Sequence, residues 1–185
     1  DNHYKGVNYQ IAKKVGLKNL KPLVPKNDTL LKLVVYVPEA KKEAMDHALF
    51  QSGAGSIGNY SECSFNVKGE GSFTPSKESN PSFGEQEKNE KIDEIRAEYL
   101  VRHTDLKSVL NAMWKHHPYE EVAHDIIPIQ NTNPEIGSGM LGELTETIDE
   151  LDFLKKIKSV FDLSMLKHTA FLKKPIKNVA VCGGS

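Results

Sequence analysis

The chain has 185 residues, enough for one or two compact domains, with 38% hydrophobic and 26% charged positions. Its 24 basic residues are matched by 25 acidic ones, which excludes a general polyanion binder and leaves no strong nucleic-acid signal, though one face could still carry a basic patch. No apolar run approaches the roughly 20 residues needed to cross a bilayer, so no membrane partner is expected. The first residues are polar and lack a signal-peptide pattern, and Cys63 and Cys182 form neither a CxxC nor a zinc spacing. Both features point to a reducing cytoplasm. Asp1 falls inside a helical pattern and Val181-Cys-Gly-Gly-Ser185 inside a strand-to-turn pattern. Both ends are therefore expected to be cuts through a longer protein.

In chain order, Tyr4, Val7, Ile11, Ala12 and Val15 predict a helix over 1–16, with Asn2 as N-cap and Gly16 as the stop. Pro22 and Pro25 then break the chain. Leu31–Val37 reads as a β-branched strand. Pro38 and Glu39 open a helix with Ala40, Ala44, Ala48 and Leu49 on one face and Gly53 as its stop. Cys63, Phe65 and Val67 alternate with polar residues, predicting a half-buried strand. Residues 69–91 read as a long exposed loop. Residues 94–102 alternate most cleanly, with Ile95, Ala97, Tyr99 and Val101 on one face. Thr104 is the expected cap of a helix carrying Leu106, Val109, Leu110, Met113 and Trp114, which Pro118 ends. Val122–Ile129 is the next strand. After Gly137-Ser-Gly-Met-Leu-Gly142, Thr147 or Asp149 caps a helix with Leu151, Leu154, Ile157 and Phe161, and Asn178–Cys182 is a short strand. The expected class is α/β (α+β). Residues 31–129 should form a ferredoxin-like β-α-β-β-α-β sandwich with both helices on one face.

Three segments could carry chemistry. His116–Asp125 holds three histidines and three carboxylates, a mixture that suits a transition metal, or simply a helix C-terminus that favours histidines beside its dipole. On a strand starting at residue 120, Glu120, Val122 and His124 would share one face and Glu121, Ala123 and Asp125 the other. Gly69-Glu-Gly-Ser-Phe-Thr-Pro75 could cradle an anion on backbone amides, or be a loop tip or bulge. Gly183-Gly-Ser185 follows a strand and reads as a phosphate loop or a plain turn.

Gly69–Pro75, Ser79-Asn-Pro81, Phe83-Gly84, His117-Pro-Tyr-Glu-Glu121, Asp125-Ile126, Gly137–Leu144 and Val179–Ser185 occur in one order. In that order they resemble the Nif-three-like dinuclear-metal family, also called GTP cyclohydrolase I type 2 homologues, over nearly the whole chain. The resemblance implies two related α/β halves sharing a divalent metal pair (zinc, iron or manganese), with a PII-like insert between them. Residues 1–26 would then end the first half, 31–129 form the insert, and 137–185 start the second half. The only metal ligand that carries over is Asp1, followed by Gly6-Val-Asn8, so no metal is expected on this chain alone.

The expected function is that of an insert serving assembly, as a trimer or hexamer with itself, and gating or binding a small nucleotide-like ligand near the metal cavity. The alternative is that the full-length protein is a metal-dependent hydrolase of nucleotide-type substrates; this chain alone is not expected to be catalytic. The expected ligand site brings His117, Tyr119, Glu120 and Glu121 into a shared concavity with Gly71, Ser72 and Phe73.

Overall fold

The computed structural model describes residues 5–183. The chain divides into two compact units. One runs Asp28–Asn131. The other joins the segment ending at Asn27 to the segment beginning at Thr132.

The Asp28–Asn131 unit contains β2 (Leu30–Pro38), a short 3-10 turn at Glu39–Lys41, α2 (Lys42–Gln51), β3 (Ser64–Phe73), β4 (Glu90–Arg102), α3 (Leu106–His116) and β5 (His124–Pro128). The strands form one sheet in the order β3-β4-β2-β5, with every pair antiparallel. This is the ferredoxin-like arrangement. The strand period of two sends Leu33, Val35, Val37, Ile95, Ala97, Tyr99 and Val101 to one face. There they pack with Met45 and Leu49 of α2 and Val109 and Met113 of α3.

Several local expectations change. Ala40 and Ala44 are exposed, and α2 buries Met45, Ala48 and Leu49 instead. Phe65 and Val67 are exposed on β3, because β3 is an edge strand and their face of the sheet is not the one under the helices. Gly69–Phe73 is strand, paired with Glu94–Glu90, so the loop shrinks to 74–89. Asp105, not Thr104, takes the N-cap position of α3. In α3 Val109 and Met113 are buried while Trp114 stays half exposed, its ring edge-on to His124. The fourth strand starts at His124, so residues 120–123 lie in a turn and the predicted alternation of Glu120 and Glu121 across a strand does not arise.

The other unit holds α1 (Val7–Val15), β1 (Lys18–Pro25), β6 (Gly137–Ile148), α4 (Glu150–Val160) and β7 (Ile176–Val181). Its sheet runs β1-β6-β7, again antiparallel. Gly6 is the N-cap of α1, and Gly16 ends it with φ 84°, the left-handed stop its sequence predicts. The predicted cap Asn2 lies outside the described residues. The Asp149 carboxylate accepts the Leu151 amide at 2.8 Å, which selects it over Thr147 as the cap of α4. Ala12, Val15, Leu17, Met140 and Leu144 form the core. The proline-broken stretch 18–25 is a strand, as is the glycine-rich 137–142. Prolines 22 and 25 fit because β1 lies at the sheet edge.

Candidate functional site

The His-Pro-Tyr-Glu-Glu turn joins α3 to β5, and four side chains fix it. His117 is buried at 8% exposure. Its Nδ1 accepts the Tyr119 amide at 3.2 Å, so the ring proton sits on Nε2, which donates to the Tyr36 carbonyl of β2 at 2.9 Å. The Tyr119 ring packs edge-on against it with centroids 4.9 Å apart. Ser82 donates to the Pro118 carbonyl at 2.7 Å, and the Glu120 carboxylate accepts the Asn80 amide at 3.1 Å. These two bonds strap the 74–89 loop to the turn. Within that loop Gln86 donates to the Ser79 carbonyl, the Glu87 amide to Pro75, and the Glu85 amide to Glu90.

Glu94 of β4 is the group that links Gly71 to Tyr119. Strand pairing sets it beside β3, and a Cβ at Gly71 would run into its carboxylate. Burial first, and then this carboxylate, push the Tyr119 phenol above its ordinary range. The phenol oxygen is itself buried, with the Glu94 carboxylate as its acidic neighbour. The structure thus joins Gly71, Tyr119 and His117 through direct neighbours. Ser72 and Phe73 pair with Lys91 and Glu90 along the ladder, and Glu121 is exposed. Residues 69–73 lie in the β3–β4 ladder rather than in a loop tip, with the Glu94 carboxylate over Gly71. Glu94 escaped the sequence analysis because it sits on the polar side of an alternating strand, where any charged residue fits the pattern.

The three histidines of this region do not converge. His116 Nδ1 meets the Ala112 carbonyl, His117 the Tyr36 carbonyl and His124 Nδ1 the Val122 carbonyl. Among the described residues no group of three or more His, Cys, Asp or Glu is placed to hold a metal. Asp1, the expected ligand, lies outside the described residues. The Gly183 amide donates to the Asn8 side chain of α1 at 2.6 Å, and the rest of the Gly183-Gly-Ser185 segment lies outside the described residues.

Burial pushes the His117 imidazole down, against a smaller opposing effect of the Tyr36 carbonyl. Folded His117 therefore stays neutral at pH values where the unfolded chain, with an imidazole near pH 6.5, takes up a proton. Its contribution is complete above the unfolded pKa and is lost as pH falls from there through the folded pKa. His117→Ala should destabilise the chain by about 1–3 kcal/mol near neutrality, through lost hydrogen bonds at a buried site. The gap in melting temperature between the two chains should narrow from pH 7.5 to pH 5. A gap that is constant across that range would show that His117 does not titrate with unfolding.

No described helix is long and apolar enough to cross a membrane. The whole chain, residues 1–185, matches the model of the family described as Duf34/NIF3 (NGG1p interacting factor 3). It is 40% identical over 180 residues to the GTP cyclohydrolase 1 type 2 homolog of Halalkalibacterium halodurans, an alignment spanning 97% of this chain and 48% of that protein. The Bacillus subtilis protein of the same name is 39% identical over the same shares. A solved structure of a Bacillus cereus protein related to NIF3 matches with a TM-score of 0.82 at 35% identity, covering 97% of this chain and 48% of that one. A Staphylococcus aureus protein shares the fold, with a TM-score of 0.57 at 24% identity over all of this chain and 46% of its own. The chain thus spans about half the length of the relatives it matches.

Proposed function

The chain belongs to the Duf34/NIF3 family, and on that footing we propose that it is part of a longer, cytoplasmic metal-binding protein. In that protein the Asp28–Asn131 unit serves assembly and the gating or binding of a small nucleotide-like ligand near a dinuclear metal cavity. One observation carries this reading. The chain leaves β1, builds a complete four-stranded unit, and returns into β6, which pairs with β1 from Lys18↔Glu143 to Pro25↔Gly137. Such a unit is an insertion into another domain, and its own core is closed. The exposed edge strand β3, with Phe65 and Val67 uncovered, supports self-association; that it occurs in threes is what the resemblance to PII-like domains implies. The Gly71, Glu94, Tyr119 and His117 cluster, with Ser72, Phe73, Glu120 and Glu121 beside it, is the proposed ligand-facing end. The metal pair would be held by Asp1 and by residues beyond this chain.

A second reading, a metal-dependent hydrolase of nucleotide-type substrates, is favoured by the name its curated relatives carry. Excision separates the role of the insert from that of the rest. In the longer protein, residues 28–131 are replaced by a short turn joining β1 to β6. Metal content by emission spectroscopy should stay the same, while the light-scattering mass falls from a multiple of three chains to a smaller species. An unchanged mass would remove the assembly role, and lost metal would place the centre's support within the insert.

A further inference from the structure

Residues 74–89 join β3 to β4 without helix or strand, yet they hold together as a body. The Glu87 amide donates to the Pro75 carbonyl at 2.8 Å, Gln86 to the Ser79 carbonyl at 2.7 Å and the Ser79 hydroxyl to the Ser76 carbonyl at 2.7 Å. At the base, Asn89 donates to the Thr74 hydroxyl at 3.3 Å. The loop's lysines are paired within it, Lys77 with Glu87 and Lys88 with Glu85. Beyond itself and Glu90, its polar ties among the described residues are Ser82 to the Pro118 carbonyl and the Asn80 amide to the Glu120 carboxylate. The loop is thus fastened to the residue before Tyr119 and the residue after it, and the Tyr119 phenol oxygen lies buried beside Glu94. No residue of the loop belongs to the core of the four-stranded unit.

The turn that carries both anchors keeps its shape through one ring. His117 Nδ1 accepts the Tyr119 amide while Nε2 donates to the Tyr36 carbonyl, an arrangement open only to the neutral imidazole. A second ring proton must go to Nδ1, where it would face the Tyr119 N–H, donor against donor. The charged and titratable groups around the ring are engaged elsewhere. Asp125 of β5 accepts the Tyr36 phenol at 3.2 Å, Glu94 of β4 lies beside the Tyr119 phenol, and Glu120 holds the Asn80 amide. His116 and His124 turn Nδ1 to the Ala112 and Val122 carbonyls, and Glu121 is exposed.

We propose that residues 74–89 are a lid over Tyr119 and Glu94, latched to the His117 turn and released in acid when the His117 ring takes its second proton. Opening uncovers a phenol donor beside a carboxylate acceptor, and the lid swings on its ends while the sheet and its core stay closed. That the uncovered groups meet a ligand rests on the reading of this end as the ligand-facing one. Burial holds the closed ring below the ordinary imidazole range. An open turn returns the ring to water, where it binds a proton near about pH 6.5. The open form therefore takes up protons more readily than the closed one. The lid is shut at neutral pH, and opening sets in as pH falls below the free-imidazole value.

The test is nitrogen-15 relaxation of the Ser79, Asn80 and Glu87 amides from pH 7.5 downwards, with the His117 imidazole titrated in the same samples. At pH 7.5 these amides should be as rigid as the strands, with order parameters of about 0.85, and on acidification they should fall below about 0.6. The midpoint should coincide with that of His117, while the amides of β2 and β4 stay rigid. Glu120→Gln keeps an acceptor for Asn80 and removes the carboxylate, so it should leave the midpoint unchanged. His117→Ala should leave the lid mobile at pH 7.5 as well; should that variant not fold, the wild-type titration decides alone. A lid that stays rigid after His117 has protonated would overturn the proposal. So would a midpoint that moves in Glu120→Gln, which assigns the trigger to the carboxylate, or strands that loosen together with the lid, which is unfolding. No ligand enters this experiment. The lid can therefore fail while the ligand-facing reading stands, and an open lid that admits no ligand would fail that reading alone.

Discussion

Gly137→Val is expected to part β1 from β6 and to destabilise their sheet by about 3 kcal/mol, the upper end of ordinary overpacking costs. A Cβ at this position would lie 2.5 Å from the Val24 carbonyl oxygen, 2.7 Å from the Pro22 Cβ and 2.9 Å from the Pro25 Cα. Backbone and proline rings cannot swing aside as the end of a long side chain does. The strain must be relieved by moving β1, whose pairing ends at Pro25↔Gly137. Gly69→Ala is the matched control, because a Cβ there meets nothing within 4 Å. It should change stability by no more than about 0.5 kcal/mol. Amide exchange should show the Gly137→Val loss in β1 and β6, with β2 to β5 unchanged. Wild-type protection of β1 in this variant would mean the strands tolerate a side chain at their contact.

Tyr99→Ala should cost about 3–5 kcal/mol in urea unfolding, the range for deleting a buried aromatic ring. Tyr99 is 1% exposed at the centre of the four-stranded unit. Its ring meets Phe50 edge-on at 5.8 Å. Its hydroxyl donates to the Asp46 carboxylate at 2.7 Å, and the Lys42 ammonium lies 5.7 Å from the ring centroid. Burial, with Asp46 adding to it, pushes the phenol far above its ordinary range, so it is a donor at neutral pH. Tyr99→Phe removes only that donor. Asp46 keeps its ion pair with Lys42 at 2.5 Å, so the loss should be about 1 kcal/mol. Equal losses for the two substitutions would mean that the hydroxyl, rather than the ring, holds this part of the core.

What the sequence made legible was the local and periodic part. Ile95, Ala97, Tyr99 and Val101 announce a strand with one buried face because period two is written in four consecutive pairs. The same period at Phe65 and Val67 announces a strand but not which face is covered, and that depends on where α2 and α3 lie. β1 and β6 were illegible for a different reason. Pro22 and Pro25 are tolerated only because β1 is an edge, and Gly137, Gly139 and Gly142 are tight only because β1 and β7 press against them. Each segment becomes a strand through the other, and no window of sequence contains both. The candidate site was half legible. The His-Pro-Tyr-Glu-Glu turn stood out by composition, while its contacts to Tyr36, Asn80, Ser82 and Glu94 come from two separate strands and from the 74–89 loop.

The pairing of Leu30 with Ile129, whose amide donates to the Leu30 carbonyl at 3.3 Å, brings the two ends of the four-stranded unit side by side. This matters for the order in which the protein acquires its structure. While residues 28–131 are unfolded, joining β1 to β6 means closing a loop of over a hundred residues, about 2 kcal/mol harder in chain entropy than closing one of ten. Once β2 and β5 have paired, the effective loop shrinks to the few residues on either side. The inserted unit then acts as a clasp, and the surrounding sheet inherits its closure from it.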